Sequence, residues 1–419
     1  MSFLAWAGTT LTLLVLVRAA NVHDARTFQE LVLRALGPRW ALTTSLMVTL
    51  YIFGACCSYL IILADSIEVP LHPLLKGGDE ATLRRLGLTA VGWAMVFPLC
   101  LQRSLSSLER VSAGTIAASV FIAAVVATRA LGGSAPALHQ HDYSWAHLGD
   151  WLNSNVSPLN ALPIALLAFQ SHIQVVPILY ELAHVGPSER TSLPLRSPGI
   201  DTALSPDEAP LRDLERARTA KWSAREWRMA KFVFIAGGLC LGLYVVIGIL
   251  GYLSFGNSPG PLSNVLDSYA AGDTLARVAR AVVGLVMVVS YPVNCFCARS
   301  ALCDLVVAAR GGKGAVEGDA DGGHSRGLQT VVVTIFFALT YAVALFVTNL
   351  GVVFSILGAT VGVYVILVLP AVLLITEGHG MEGVFACRKL VAGLLFMASA
   401  ATLVFVLTMQ AVSIIHPKP

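Results

Sequence analysis

The sequence predicts an all-α polytopic membrane protein, and three observations carry that prediction. Hydrophobic residues make up 56% of the 419-residue chain and charged residues 13%, against a charged share of about 25% in soluble domains. Apolar runs recur along the whole chain, each long enough to cross a hydrocarbon core of about 30 Å. One of those runs, ending in Ala168–Leu182, also carries polar residues that a plain anchor would not tolerate. The net charge of +3 is no footprint for nucleic acid. The sequence contains no nucleophile–base arrangement and no metal-ligand cluster, so no catalytic or metal-binding residue is assigned.

The runs predict ten spans, near 3–18, 41–67, 86–102, 111–129, 159–182, 231–253, 276–298, 328–348, 351–376 and 389–413. If the spans alternate in direction, one set of loops holds 21 of the 28 Lys and Arg residues and the other holds 7. The basic-rich set is cytoplasmic by the positive-inside rule. It contains Arg18, Arg26, Arg34, Arg103, Arg110 and the whole 183–231 segment. This orientation makes span 3–18 run from outside to inside, which implies a preceding helix that the sequence does not contain. All eight cysteines lie in or beside spans, so no exterior disulfide is expected.

Taken in order, Asn21–Trp40 reads as a short amphipathic connector, with Phe28, Leu31, Val32, Ala35 and Leu36 on one side. In span 41–67, Tyr51, Gly54, Ser58 and Asp65 recur at helical spacing. Gly54 and Ser58 suit close packing, while Asp65 is placed near the exterior interface and solvated. The exterior loop 131–158 contains the sequon Asn155-Val-Ser157. Residues 186–210 are rich in Pro, Ser and charge, and 211–230 reads as a basic interfacial helix with Trp222 and Trp227. Span 276–298 carries Ser290-Tyr-Pro292-Val-Asn294, a kink flanked by a hydroxyl and an amide. Ser355, Gly358, Ala359 and Gly362 form a small-residue stripe in span 351–376.

The stretch around which the chain is organised is Ala168-Phe-Gln-Ser-His172-Ile-Gln-Val-Val-Pro177-Ile-Leu-Tyr180-Glu-Leu182. Intramembrane polar groups face a protein interior or a water-filled cavity. If the segment stays helical, Phe169, His172, Val176 and Tyr180 share a face. Two readings compete for it: a proline-kinked helix whose polar residues are hydrogen-bonded, and a partly unwound helix lining a transporter's substrate path.

Together these segments resemble the amino acid/auxin permease family, in its sodium-coupled neutral amino-acid transporter branch. The matching residues are Phe169-x-x-His172-x-x-x-x-Pro177-Ile with Glu181-Leu182, Gly251-Tyr-Leu-x-Phe-Gly256, Ser290-Tyr-Pro292 and Phe354-Ser-Ile-Leu-Gly358-Ala359-Thr360. Thr27-Phe-Gln-Glu30 and Phe53-Gly54 fit as well, and the likeness runs from about residue 10 to 410.

The resemblance implies a five-plus-five inverted-repeat permease fold with a final helix, in which substrate sits where the first helix of each repeat unwinds. Residues 1–130 would be the remainder of the first repeat. Residues 159–376 would be the second, with 183–230 as a cytoplasmic insertion and 389–413 as the final helix. Five spans should precede the organising helix and four are counted, so the family's first helix is expected to be missing. That helix supplies donors for the substrate carboxylate and part of the cation site in the family.

By the same resemblance Phe169, Ser171, His172 and Val176 would line the substrate path. Ser290 would match a hydroxyl of the cation site, with Asn294 assisting. The implied function is a secondary active symporter of neutral, glutamine-like amino acids, coupled to sodium or protons by alternating access, with no cofactor beyond the ion. The alternative is a non-transporting amino-acid sensor or a truncated inactive family member. The expected partners are the amino acid, the lipid bilayer and a cytoplasmic partner of 183–230. The expected location is the plasma membrane or a lysosomal or vacuolar membrane.

Overall fold

The structure is a computed structural model that describes residues 1–71, 80–102, 108–131, 161–184, 222–255, 264–270, 272–309, 326–347, 350–376 and 388–415. The sequon loop, the 186–210 stretch and most of the 211–230 segment lie outside the described residues. The regular elements among those described are helical. They are α1 (Ser2–Val22), α2 (Phe28–Leu36), α3 (Pro38–Leu71), α4 (Glu80–Val91), α5 (Phe97–Cys100), α6 (Leu108–Leu131), α7 (Ala161–Ala168) and α8 (His172–His184). There follow α9 (Ala224–Phe255), α10 (Thr274–Ala309), α11 (Arg326–Phe346), α12 (Leu350–Leu357), α13 (Leu369–Thr376) and α14 (Arg388–Ile415).

Eight of the described helices are long and apolar enough to cross a membrane, counting Ala161–Leu182 as one. The two other expected spans are also helical. Span 86–102 falls in α4 and α5, joined by a π-helical turn at Gly92–Val96, and span 389–413 falls in α14. The protein is an all-α, multi-pass membrane protein.

The chain forms two compact units. One comprises Met1–Met47, Ala165–Cys240 and Gly358–Pro419, and the other Val48–Ile164 and Leu241–Leu357.

In the first unit, α1 packs against α8 and α13, and α2 packs against α8. Helix α1 is apolar around most of its circumference, and Leu13, Val15, Leu16, Val17, Ala19 and Ala20 are all buried. A helix apolar on every side is stable only inside a protein or a membrane. Helix α2 buries Phe28, Leu31 and Val32, as its amphipathic pattern predicts. Its start has a local cause. Thr27 Oγ1 accepts the Glu30 backbone N–H, and Glu30 reaches back to the Arg26 N–H, satisfying donors that a helix start leaves orphaned.

Helix α9 begins at Ala224 and runs without interruption to Phe255. Of the interfacial helix expected over 211–230, the described residues 224–230 are continuous with the span, and 211–221 lie outside the described residues. A capping box explains where it starts. Ser223 Oγ accepts the Glu226 N–H at 3.2 Å, and the Glu226 carboxylate accepts the Ser223 N–H in return. That carboxylate also accepts two bonds from Arg18 Nη1, at 2.9 and 3.2 Å. Both side chains are buried, at 2% and 0% exposure. The loop charge count places both residues on the cytoplasmic side, and they meet.

In the second unit, α10 packs against α6, α11 and α5. Phe337 of α11 contacts Trp93, Phe97, Tyr291 and Tyr341. Gly54 allows α3 to approach its neighbour closely, because a Cβ there would lie 2.4 Å from Leu357 Cδ2. Ser58 is fully buried and returns its hydroxyl to the Gly54 carbonyl at 3.0 Å, so both residues serve packing. Asp65 is not simply solvated. Its Oδ1 accepts from Arg84 Nε at 2.9 Å, with 24% of the aspartate side chain exposed. With most of its side chain out of water, the carboxylate needs a protein partner, and Arg84 supplies it.

A second ion pair sits at the start of α10. Asp273 Oδ1 accepts the N–H groups of Leu275 and Ala276 and a 2.6 Å bond from Arg129 Nη2. Burial acts to raise the Asp273 carboxyl, but the Ala276 N–H and Arg129 outweigh it and hold the group below its ordinary value of 3.8. Burial pushes the neighbouring Tyr269 phenol up to about 12.

A carboxyl depressed in the folded state adds stability above its unfolded value, and that stability is lost as pH falls through the lower folded value. Asp273→Asn should therefore lower the melting temperature of the detergent-solubilised protein at pH 7. The gap to wild type should narrow as the pH is taken below the ordinary carboxyl range. A gap of constant size from neutral to acid pH would remove Asp273 as the source.

Candidate functional site

The organising stretch is broken. Helix α7 ends at Ala168 and α8 starts at His172. The last turn of α7 tightens, with the Phe169 and Gln170 N–H groups bonding three residues back to Leu166 and Leu167. The Ser171 carbonyl then accepts from both Gln174 and Val175, which starts α8. Pro177 lies inside α8 and does not end it. The interruption therefore falls on the polar run Gln170-Ser171 rather than on the proline. This is the unwound-helix reading of the stretch. The single face proposed for an unbroken helix is interrupted, since Phe169 lies in the turn before α8.

Among the expected substrate-path residues, Phe169, His172 and Val176 are buried, at 8%, 0% and 0% exposure. Ser171 is exposed at the break. His172 Nε2 lies 2.9 Å from Thr12 Oγ1 of α1. The Thr12 hydroxyl is also 3.1 Å from the Gly8 carbonyl and 3.0 Å from the Thr9 carbonyl. His172 Nδ1, and both Nε2 and Oε1 of Gln170, are buried with no hydrogen-bond partner. Buried polar groups almost always have a partner, so orphans gathered at a helix break mark a place where a ligand or water completes the bonding.

The expected cation-site residues lie in the second unit, in the middle of α10. Pro292 is inside the helix and has no N–H, so it leaves the Val288 carbonyl without its intrahelical donor. Asn294 Nδ2 donates to the Ser290 carbonyl at 3.3 Å and, more weakly, to Tyr59 OH at 3.4 Å. The Ser290 hydroxyl is half-buried, and no hydrogen bond from it to a carbonyl beside Pro292 is found among the described residues. Tyr291 instead ties α10 to α11, with its hydroxyl 2.6 Å from Thr340 Oγ1.

Sequence reasoning did not single out two of these residues for the site. Gln170 was visible as part of the polar load of an apolar run. Thr12 gave no signal, because its importance comes from a partner 160 positions away.

A polar break in a membrane-spanning helix is an arrangement that secondary transporters use to hold substrate. The family described as "Transmembrane amino acid transporter protein" matches residues 1–193 and 220–410. The chain belongs to that family, whose members are transporters and not enzymes. It is 24% identical over 376 residues to "Sodium-coupled neutral amino acid transporter 7" of Rattus norvegicus, covering 87% of this chain and 68% of that protein. The Homo sapiens protein of the same name is 24% identical over 375 residues, with the same coverage. "Putative sodium-coupled neutral amino acid transporter 11" of Homo sapiens is 22% identical over 370 residues, covering 87% of this chain and 75% of that protein. The family read from the sequence motifs stands, and these relatives carry the name of the branch that the motifs resemble.

Proposed function

We propose that the protein is a secondary active symporter of neutral, glutamine-like amino acids, driven by sodium or protons through alternating access. The relatives' names support the substrate class and the coupling. The observation that carries the reading is the broken helix at Phe169–Ser171, beside the orphaned polar atoms of Gln170 and His172. A broken helix suits an amino acid, because unpaired backbone N–H groups and the positive end of α8 attract a carboxylate. The unsatisfied side chains offer donors and acceptors for the rest of the zwitterion. Ser290, with its unpartnered hydroxyl, supplies a hard oxygen of the kind that alkali cations prefer, and Asn294 holds the Ser290 carbonyl. In this reading residues 1–130 are the remainder of the first repeat and residues 159–376 are the second.

The test is concentrative uptake of radiolabelled L-glutamine and L-alanine, across a sodium series at fixed pH and then a pH series without sodium. Uptake should rise with one of the two ions and exceed equilibration. Amino-acid binding without ion-dependent uptake would replace transport with sensing.

A further inference from the structure

We propose that Thr12 is a positioning residue that sets the tautomer of His172, so that the imidazole presents Nδ1 as an acceptor to an N–H group of the amino-acid substrate. The inference rests on the reading that His172 lines the substrate path. It adds a residue on another helix, and the direction of a hydrogen bond.

The argument follows from proton bookkeeping. A threonine hydroxyl has one proton and two acceptor lone pairs. Two backbone carbonyls of its own helix, Gly8 and Thr9, lie 3.1 and 3.0 Å from the Thr12 oxygen, where they can take that proton. The side that meets His172 Nε2, at 2.9 Å, is then a lone pair. In that arrangement Nε2 supplies the hydrogen. In a neutral imidazole the other nitrogen is then an acceptor.

The opposite tautomer would bury Nδ1–H inside a residue with 0% exposure, where Nδ1 has no partner. Orphaned buried N–H groups are rarer in proteins than under-used acceptors, so the structure selects the Nε2–H form. What remains is a buried acceptor awaiting a donor. Two residues earlier, the Gln170 amide is buried and unpartnered as well. A ligand with N–H groups and an acceptor end satisfies both. An α-ammonium, or an amide side chain of the glutamine type, has the chemistry that Nδ1 requires.

Thr12→Val keeps the shape of the side chain and removes the hydroxyl, so Nε2 loses its acceptor and nothing holds the tautomer. Thr12→Ser restores the hydroxyl. In cells expressing the full chain at matched surface levels, Thr12→Val should raise the KM for radiolabelled L-glutamine about tenfold, the order of one lost hydrogen bond. Turnover per surface molecule should stay within about twofold of wild type, and Thr12→Ser should match wild type. In a His172→Ala background, Thr12→Val should add nothing further. A Thr12→Val defect that persists in that background would make Thr12 merely structural and overturn the proposal. A wild-type KM in Thr12→Val beside an impaired His172→Ala overturns the Thr12 assignment and leaves the substrate path standing. A wild-type KM in His172→Ala sinks the substrate-path reading itself. Nitrogen NMR of histidine-labelled protein reads the tautomer independently of transport. His172 should show a protonated Nε2 and a bare Nδ1, with the pattern lost in Thr12→Val. A protonated Nδ1 in the wild type would overturn the proposal.

Discussion

Arg18→Ala is expected to remove most of the folded protein from the membrane. The guanidinium and the Glu226 carboxylate face each other at 2.9 and 3.2 Å with both side chains buried. Truncating one partner leaves the other as an uncompensated buried charge, which costs about 3–5 kcal/mol. That is roughly two to three and a half orders of magnitude in the folding equilibrium, a large part of the stability of a typical domain. Glu226→Ala should be worse, because it also dismantles the Ser223 capping box, a further cost of about 0.5–2 kcal/mol. The double variant Arg18→Met with Glu226→Gln removes both charges and keeps an acceptor for the Ser223 N–H. It should recover above either alanine variant, since a buried ion pair replaced as a pair is often close to neutral. Thermal unfolding of detergent-solubilised protein, read with the surface level in cells, measures all of these. An Arg18→Ala variant that melts with wild type would show that the pair contributes nothing.

Ser290→Ala and His172→Ala are expected to damage different parts of the cycle. Ser290 lies within the turn of α10 whose backbone bond Pro292 removes, and no hydrogen bond of its hydroxyl is found among the described residues. Alanine offers no oxygen, so the half-saturating sodium concentration should rise. A loss of about 0.5–1.5 kcal/mol, comparable to one hydrogen bond, corresponds to about a 2- to 13-fold shift. Substrate selectivity should be kept. His172→Ala should do the reverse, altering substrate selectivity and KM while leaving the sodium curve in place. Uptake of L-glutamine and L-alanine across the sodium series distinguishes the two, at wild-type surface levels. An unchanged sodium curve in Ser290→Ala removes it from the cation site.

The helices were legible because membrane spans are specified locally. A run of apolar residues long enough to cross the core must close its own backbone hydrogen bonds, so composition alone calls for a helix. All ten expected spans are helical among the described residues. The pairs Arg18–Glu226, Arg84–Asp65 and Arg129–Asp273 join residues from different segments and have no such local signature. The capping boxes at Thr27 and Ser223 explain where α2 and α9 start, and these are local.

The sequence by itself determined that the chain is helical and crosses the membrane many times, and that one span carries an unusual polar load. It also carried the motifs of an amino-acid transporter family. Only the tertiary structure decided where that span breaks, at Gln170-Ser171 and not at Pro177. It alone brought Thr12 to His172 across 160 positions and Arg18 to Glu226 across 208. It also left His172 Nδ1 and the Gln170 amide without partners. A helix can be read from its own residues because its bonds are made within a few positions. A buried hydrogen bond or ion pair depends on which helices pack together, and no local pattern records that.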